Sequence, residues 1–284
     1  MKYLAVIWGI FLTVLCACQR APEPPETPFN AYLPRPFEEY FADYVPSAEV
    51  AESEETKVWD VSDVDISQID TSRKLIAFTF DDAPAKTMEN ILAVFARFNE
   101  ENPDCPATAT FFCNGIRIRE SVLPLLQTAY AMGMELGNHT HSHLDLTKLS
   151  TDRLLSEIER TDELLSRVDG KPVHLLRPPY GNVNEQVKAI SKAPVIHWSI
   201  DTLDWRKDEE TTIYERVWQG RFSGAIVLLH DGYPHTVSAL KRLLLDLKAD
   251  GYQVVSVSAM AKAHRCDLKK GSVYIRIRKR RDLS

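Results

Sequence analysis

Carboxylates and imidazoles that could act together on a substrate are spaced along the middle of the chain. Asp81 and Asp82 directly follow the apolar run KLIAFTF, so one carboxylate could bind a metal while its neighbour takes up a proton. His139 and His143 are four residues apart, a spacing that is common among metal ligands on one helical turn. Two imidazoles and a carboxylate would leave coordination positions open for water and substrate. Such a set suits metal-assisted hydrolysis and also non-haem iron oxygenation.

These residues stand where apolar runs end. Seven short apolar runs alternate with amphipathic stretches from Arg73 to about residue 260. This alternation predicts an α/β fold in which helices cover parallel strands, as a doubly wound sheet or a barrel. Both folds place active sites at the carboxyl ends of their strands. The polar residues at the predicted ends are Asp81, Asp82, Asn138, His139, Arg177, Asp201 and His230. Taken alone, the aspartate pair also suits a turn or a helix cap.

The composition is that of a folded protein with an acidic balance. The 284 residues are 44% hydrophobic and 26% charged, which excludes a wholly disordered, collagenous or polytopic membrane protein. A net charge of −6 argues against nucleic-acid binding by the chain as a whole. Five cysteines are too few for a disulfide-built scaffold. Cys105 and Cys113 flank a predicted strand and should not pair, whereas a bond between Cys105 and Cys266 stays open as an alternative.

The amino terminus predicts export from the cytoplasm. Lys2 precedes an apolar run that ends at Leu15, which is too short to span a membrane and is typical of a signal peptide over residues 1–17. The quartet LCAC resembles the bacterial lipobox, in which the last cysteine, here Cys18, is lipidated. We therefore expect an extracytoplasmic lipoprotein anchored to a bacterial membrane. A plain signal peptide or a short uncleaved anchor is the alternative.

The rest of the chain divides by composition into four segments. They are a proline-rich linker (18–36), an acidic lead-in (37–72), a catalytic domain (73–265) and a basic tail (266–284). In the tail, Val273, Ile275 and Ile277 alternate with polar or charged residues, which predicts an edge strand with one charged face. The charges either keep this edge soluble or attract it to anionic lipid or cell-wall polymer.

Five motifs taken together resemble a known family. TFDDAP, HTHSH, RPPYG, DTLDW and LLHD occur in the order typical of the polysaccharide deacetylases, the nodulation-deacetylase homology domain of carbohydrate esterase family four. The resemblance covers roughly residues 73–260 and implies a distorted (β/α)7 barrel as a single catalytic domain. It also implies a divalent metal cofactor, with zinc expected before cobalt, nickel or manganese.

The resemblance implies a role for each motif. The metal ligands would be Asp82, His139 and His143. The reaction itself would use the general base Asp81, Arg177 to hold that base in place, the general acid His230, its partner Asp201 and the backbone N–H of Tyr180 for the oxyanion. The substrate-binding residues would be Trp205 and Leu228, which would wall the pocket for the acetyl methyl, and Pro179. The other histidines are expected to be packing or surface residues: His141, His174, His197, His235 and His264. His235, which lies close after the acid motif, could alternatively line the cleft.

The expected activity is N-deacetylation of N-acetylhexosamines in an extracellular polysaccharide, with peptidoglycan as the leading substrate. A chitin-like or poly-N-acetylglucosamine substrate, O-deacetylation of xylan, and carbohydrate binding without turnover are the alternatives. Ala83 and Leu144 depart from the family pattern, where glycine and proline are usual, but neither removes a chemical group. We expect a monomer without a nucleic-acid partner.

Overall fold

Parallel strands alternate with helices along the chain, as the sequence predicts. In this computed structural model the described residues are 58–206 and 209–280, so the signal peptide, Cys18, the proline-rich linker and residues 37–57 lie outside them. The strands are β1 (Lys74–Ala83), β2 (Thr110–Cys113), β3 (Glu135–Asn138), β4 (Val195–Ile196), β5 (Ile200–Asp201), β6 (Ile226–His230), β7 (Tyr252–Val255) and β8 (Val273–Tyr274). The helices are α1 (Met88–Glu101), α2 (Leu123–Ala131), α3 (Thr151–Asp169), α4 (Glu185–Ile190), α5 (Glu210–Gly220), α6 (Pro234–Ala249) and α7 (Val257–Ala263). Within the described ranges, no helix has the length and apolar character needed to cross a membrane.

Strand β1 is the centre of the sheet because its sequence is apolar on both faces. The strand order is β3-β2-β1-β6-β5, and β7 pairs with the first half of β1; all these pairs are parallel. Ile76, Phe78 and Phe80 belong to the core that packs against the helices. Leu75 and Ala77 belong to a second buried cluster, which β1 shares with residues of β2, β4, β6 and β7. Since side chains alternate along a strand, the odd-numbered residues of β1 face the barrel interior.

The predicted α/β barrel is confirmed, but one predicted strand is absent from its wall. Six of the seven apolar runs form strands, whereas VHLLRPP contributes only single bridges, from Leu176 to Asn138 and to Val195. Two prolines follow Arg177 and have no N–H to donate to a ladder. The run PVIHWSI is divided into β4 and β5 at residues 197–199. The side chain of Arg177 donates to the carbonyl oxygens of Ile196 and His197 and so occupies backbone acceptors at this break.

Both ends of the described chain pack at the amino-terminal end of the barrel. Val58 forms an antiparallel bridge with Lys269, and the Trp59 N–H donates to the Leu268 carbonyl oxygen at 2.7 Å. Strand β8 pairs with β4, and Arg276 then bridges the residue that precedes β6.

The tail forms the predicted edge strand over two residues only, as β8, and the predicted charged face is not formed. Val273 and Ile275 are 36% and 49% exposed, whereas Ile277 is fully buried. The chain pairs with β4 for only two residues before the Ile277 N–H turns to the Gly224 carbonyl oxygen, so one regular strand face is never formed.

The cysteines of the described domain are free thiols. Cys105, Cys113 and Cys266 form no disulfide in this structure, so the open alternative of a bond between Cys105 and Cys266 is not realised. Cys113 is buried in the core.

Candidate active site

The ends of β1 and β6 bring two ionisable groups together. Asp81 is the direct partner of His230 in the parallel register of these strands. Asp81 lies on the same face of β1 as Leu75 and Ala77, and Leu228 lies on the same face of β6 as His230. The carboxylate, the imidazole and the Leu228 side chain therefore share the carboxyl end of the barrel interior, where α/β barrels carry their active sites.

Asp82, His139 and His143 form a possible metal-binding triad, because their donor atoms all lie within 4.8 Å of one another. The His139 Nδ1 atom is 2.6 Å from the Arg177 carbonyl oxygen, and a carbonyl can only accept. Nδ1 therefore carries the proton, and the Nε2 lone pair remains for a metal.

The protonation state of His143 also suits a metal ligand. Burial and the neighbouring His139 lower the pKa of His143 to about 4. The ring is therefore neutral at pH 7, as metal binding requires. The two imidazoles and the Asp82 carboxylate thus fit a divalent cation that keeps coordination positions open, without distinguishing zinc from cobalt, nickel or manganese.

Buried hydrogen bonds fix the loops that carry these ligands. Asn114, after β2, donates from its backbone N–H to the Ala83 carbonyl oxygen and from Nδ2 to the His139 carbonyl oxygen, both at 2.8 Å. Glu157 of α3 accepts a bond from the Ser142 N–H at 2.7 Å. Both ligand loops are thus tied to neighbouring elements.

Strained backbone is concentrated around the site. Of the described residues other than glycine, six have a positive φ, and five of these lie at the end of β1 or on the loops of the site. Those five are Asp82, Thr140, His143, Tyr180 and Leu203. Such conformations cost about 1–3 kcal/mol each and persist only where surrounding contacts enforce them.

Arg177 sets the charge of Asp81. Its guanidinium is fully buried and donates from Nη1 to Asp81 Oδ1 at 2.7 Å and to Thr79 Oγ1 at 2.7 Å. Burial of Asp81 opposes its ionisation, but the Arg177 charge, with smaller contributions from His139 and His230, outweighs burial and lowers the pKa of Asp81 below its ordinary value. The predicted contact between Arg177 and Asp81 is confirmed.

The partner of His230 is Asp204, and the prediction of Asp201 is wrong. Asp204 Oδ1 is 2.7 Å from His230 Nδ1, and Oδ2 accepts the His230 backbone N–H at 2.8 Å. Asp201 instead closes a local turn by accepting the Leu203 N–H at 2.9 Å. That turn brings the second acid of DTLDW to the imidazole. Burial opposes protonation of His230, but the hydrogen bond and charge of Asp204 raise its pKa to about 9.

The first turn of α6 holds Asp204 in place. The Thr236 hydroxyl donates to Asp204 Oδ2 at 2.7 Å, and His235 Nε2 lies 2.7 Å from the Asp204 carbonyl oxygen. Asp204 and Thr236 have no exposed surface. The expectation that His235 is a packing or surface residue therefore missed its contact with the backbone of the acid's partner.

A second aspartate that sequence reasoning missed supports the loop after β1. Asp231, the last residue of LLHD, accepts hydrogen bonds from the N–H groups of Ala85 and Thr87 and from the Thr87 hydroxyl. Its position directly after His230 was the only signal in the sequence. The bonds tie the β6 end to the segment that follows Asp82.

Tyr180, predicted to stabilise the oxyanion, lies at the same end of the barrel as the predicted substrate-binding residues Pro179, Trp205 and Leu228. Tyr180 is 66% exposed, and its ring lies 4.9 Å from that of His143. Trp205 follows Asp204 and is 45% exposed, whereas Pro179 and Leu228 are buried. The roles of these four residues stay predictions. Of the remaining histidines, His141, His174 and His264 are buried and His197 is partly buried, in agreement with a packing role.

Comparison with known proteins points to one family. The model of the polysaccharide deacetylase family matches residues 68–195. The chain is 33% identical over 196 residues to the peptidoglycan-N-acetylmuramic acid deacetylase PdaC of Bacillus subtilis, covering 68% of this chain and 40% of that protein. A peptidoglycan-N-acetylglucosamine deacetylase of Bacillus cereus is 32% identical over 202 residues, which is 68% of this chain and 91% of the relative. The chain thus spans about two fifths of PdaC but most of the Bacillus cereus protein.

Solved structures agree with this comparison. The structure of PdaC superposes with a TM-score of 0.64 at 32% identity and covers 69% of this chain and 94% of the PdaC chain. The Xyl-CE4 domain of a multidomain xylanase from the hindgut metagenome of Trinervitermes trinervoides gives a TM-score of 0.67 at 28% identity, over 73% of this chain and 100% of that one. In both cases the matched region is nearly the whole solved chain.

Proposed function

Because the chain belongs to the polysaccharide deacetylase family, we propose that it hydrolyses the N-acetyl groups of N-acetylhexosamine residues in an extracellular polysaccharide, with peptidoglycan as the substrate. The names of PdaC and of the Bacillus cereus relative, which both state peptidoglycan deacetylation, support this choice. The observation that carries the proposal is the register of β1 and β6, which sets Asp81 opposite His230 beside the triad. The proposed base and the proposed acid thus lie next to each other at one site, as hydrolysis of an amide requires.

Asp81 is the proposed general base. Hydrolysis begins when water attacks the acetyl carbonyl carbon, and the attacking water must lose a proton. Arg177 keeps the Asp81 carboxylate ionised at neutral pH, so that this carboxylate can take up that proton. The further bonds of Arg177 to Thr79 and the backbone hold the guanidinium and therefore the base in one position.

His230 is the proposed general acid. An amine is a poor leaving group unless its nitrogen is protonated as the C–N bond breaks. With a pKa of about 9, His230 is protonated at neutral pH, and its Nδ1 is engaged by Asp204. The Nε2 proton therefore passes to the amine nitrogen, which leaves acetate and a free amino sugar. Asp204 stabilises the imidazolium before the transfer and fixes the ring that performs it.

We propose that Asp82, His139 and His143 hold a divalent metal ion, with zinc as the first choice. When bound, such an ion lowers the pKa of water and polarises a carbonyl group. The backbone N–H of Tyr180 is assigned to the oxyanion, since donors of this kind contribute about 3–4 kcal/mol to acyl transfer. Trp205, Leu228 and Pro179 are assigned to the pocket for the acetyl methyl group.

We propose that the protein acts outside the cytoplasm as a lipoprotein anchored through Cys18. The support is the sequence of the amino terminus, with its single Lys2, its short apolar run and the LCAC quartet. Anchoring at the envelope would bring a monomeric enzyme next to peptidoglycan.

An O-acetyl esterase acting on xylan is the second candidate. Its support is the similarity to the Xyl-CE4 domain, which belongs to a xylanase. Ester and amide hydrolysis share a tetrahedral path, so the same residues could serve both. Carbohydrate binding without turnover is less well supported, because a binding protein has no use for a charge-tuned base and acid together.

Acetate release by the chain from Gln19 onward tests the proposal. The substrates are peptidoglycan, chitooligosaccharide, poly-N-acetylglucosamine and acetylated xylan, each with and without a chelator. We expect chelator-sensitive release from peptidoglycan and at least a 100-fold loss in the Asp81→Asn variant. Release from xylan alone would favour the esterase, and binding without release would favour the non-catalytic alternative.

A further inference from the structure

A basic strip lies at one edge of the domain. From Lys269 to Arg280, six of twelve residues are basic and none is acidic, although the whole chain has a net charge of −6. The strip consists of Lys269, Lys270, Arg276, Arg278, Lys279 and Arg280. Arg276, Arg278, Lys279 and Arg280 are exposed. Positive charge is therefore concentrated on one part of an otherwise acidic protein.

The strip lies at the end of the barrel opposite the candidate active site. Arg276 bridges Ala225, which directly precedes β6, and Lys279 Nζ lies 3.5 Å from the carbonyl oxygen of Thr71, which precedes β1. Asp81 and His230 stand at the other ends of these same strands. A surface that binds the strip would consequently lie on the opposite side of the barrel from the carboxyl ends of the strands.

Exposed apolar side chains lie within the strip. Val273 and Ile275 are 36% and 49% exposed and stand between Lys270 and Arg276 in the chain. Basic residues interleaved with exposed aliphatic side chains are typical of surfaces that bind lipid headgroups and insert shallowly at the acyl boundary.

The chain also enters the domain beside this strip. Val58, the first described residue, bridges Lys269, so the described chain begins at this edge. Acidic lead-in residues lie at the same end of the barrel: Asp60, Asp63 and Asp65 line the cavity that Lys270 also lines. These acids would oppose contact of the whole end with anionic lipid, which restricts the favourable contact to the edge that carries β8.

We propose that the basic strip, with Val273 and Ile275, binds the surface of an anionic membrane. Each basic residue near such a surface gains from the negative surface potential, and the attraction falls off within a Debye length. The bound orientation turns the carboxyl ends of β1 and β6 away from the lipid. The proposal does not depend on the deacetylase reaction or on lipidation of Cys18.

Vesicle binding by the chain from Gln19 onward tests this proposal without the apolar amino-terminal run. A catalytic domain of this kind folds without further domains, because the superposed region makes up 94% and 100% of the two solved chains. Co-sedimentation is measured with vesicles of equal phosphatidylglycerol and phosphatidylcholine and with vesicles of phosphatidylcholine alone, at low and high salt. The test variant combines Arg276→Gln, Arg278→Gln and Lys279→Gln. The control combines Arg97→Gln, Arg119→Gln and Lys241→Gln, which removes the same charge from other exposed positions.

We expect salt-sensitive binding to the anionic vesicles and little binding to the neutral ones. The test variant should bind the anionic vesicles about 100-fold more weakly, at roughly 1 kcal/mol for each charge. The control should change less than about threefold, and Ile275→Ser should lose about fivefold through its apolar contact. Thermal unfolding confirms that each variant is folded.

Three results would overturn the proposal. The first is equal binding to both kinds of vesicle, and the second is an equal loss in the test and control variants. The third is strip-dependent binding to a soluble glycerol-phosphate polymer without binding to vesicles, which would assign the strip to a cell-wall polymer. Failure of acetate release would concern only the proposed reaction, since vesicle binding is measured without substrate.

Discussion

Asp204 binds His230 at two points: Oδ1 lies 2.7 Å from the ring Nδ1, and Oδ2 accepts the backbone N–H at 2.8 Å. The Thr236 hydroxyl donates to the same Oδ2. A fully buried carboxylate therefore fixes both the position and the charge of the imidazole. The pair is tied on one side to the turn after β5 and on the other to the first turn of α6.

Asp204→Asn should lower kcat by at least about 100-fold, the range in which general acids contribute. The neutral amide no longer favours the charged ring, so the pKa of His230 falls from about 9 towards its ordinary value. Because the acid must be protonated, the alkaline limb of the kcat/KM profile should move to lower pH by the same change. Asp201→Asn is the matched control and should leave that limb in place. A larger effect of Asp201→Asn would contradict this assignment.

Thr236→Val should weaken the acid pair by removing one donor from Asp204 Oδ2. A buried acceptor that loses a partner costs about 1–3 kcal/mol, which urea unfolding can measure. Thr236→Ser keeps the hydroxyl and should recover most of that stability and the wild-type pH profile. If Thr236→Ser were as damaging as Thr236→Val, the methyl packing rather than the hydrogen bond would be the cause.

Arg177→Met should destabilise the fold and disable the base together. It leaves the Asp81 carboxylate buried without its cation, which costs about 3–5 kcal/mol. The pKa of Asp81 then rises, so the acid limb of the kcat/KM profile should move to higher pH. The double variant with Asp81→Asn removes the uncompensated charge and should regain stability without activity. Additive losses of stability in the double variant would contradict the ion-pair argument.

His174 should make stability depend on alkaline pH. Its Nδ1 is 2.9 Å from Asp162 Oδ1 and its Nε2 is 3.2 Å from Asp169, in a buried cluster next to α3. Burial opposes protonation, but the two carboxylates raise the pKa of His174 to about 9. A folded pKa above the unfolded value of about 6.5 gives stability that is complete below pH 6.5 and is lost as pH rises through 9. In urea unfolding from pH 6 to 10, His174 should contribute about 3 kcal/mol to the loss of stability, and His174→Gln should remove that contribution while the part due to His230 remains.

Metal binding should be separable from the acid pair. Zinc titration by calorimetry should show one site, and a chelator should lower the melting temperature of the loaded protein. His139→Ala should weaken zinc affinity by at least about 100-fold, because a ligand and its orienting bond to Arg177 are both lost. Asp204→Asn should keep the affinity within a few fold while losing activity. Loss of zinc in Asp204→Asn would join two functions that the geometry separates.

Sequence reasoning predicted the features that depend on short, local patterns. The strand of β1 follows from a continuous apolar run, and the triad follows from the motifs that resemble the family. The helical turn suggested by the spacing of His139 and His143 is not formed, because residues 139–143 are a loop with a positive φ at Thr140 and His143. The identity of the acid's partner could not be decided locally. Asp201 and Asp204 have the same side chain and stand three residues apart, and only the two-residue length of β5 and the turn at Leu203 determine which one meets His230.

The missed features of the fold have the same origin. VHLLRPP reads as a strand because its side chains are apolar, although its two prolines are a local signal against a regular strand. The hydrogen bonds of Arg177 to Ile196 and His197 depend on residues about 20 positions later in the chain. The burial of Ile277 depends on a hydrogen bond to Gly224, more than 50 residues earlier. Hydrophobic alternation in the tail carries no information about that contact.

The guanidinium of Arg177 joins two tasks that an enzyme designer would wish to adjust separately. It neutralises the buried carboxylate of β1 and also bonds the backbone where the wall passes from β4 to β5. A substitution at this position that retunes the basicity of Asp81 would therefore also loosen the barrel wall. Selection for a different working pH is expected to act instead on neighbours such as Thr79, whose hydroxyl contacts the same nitrogen without bridging the strands through a charge. Adaptation of the pH optimum in this protein is thereby directed away from Arg177.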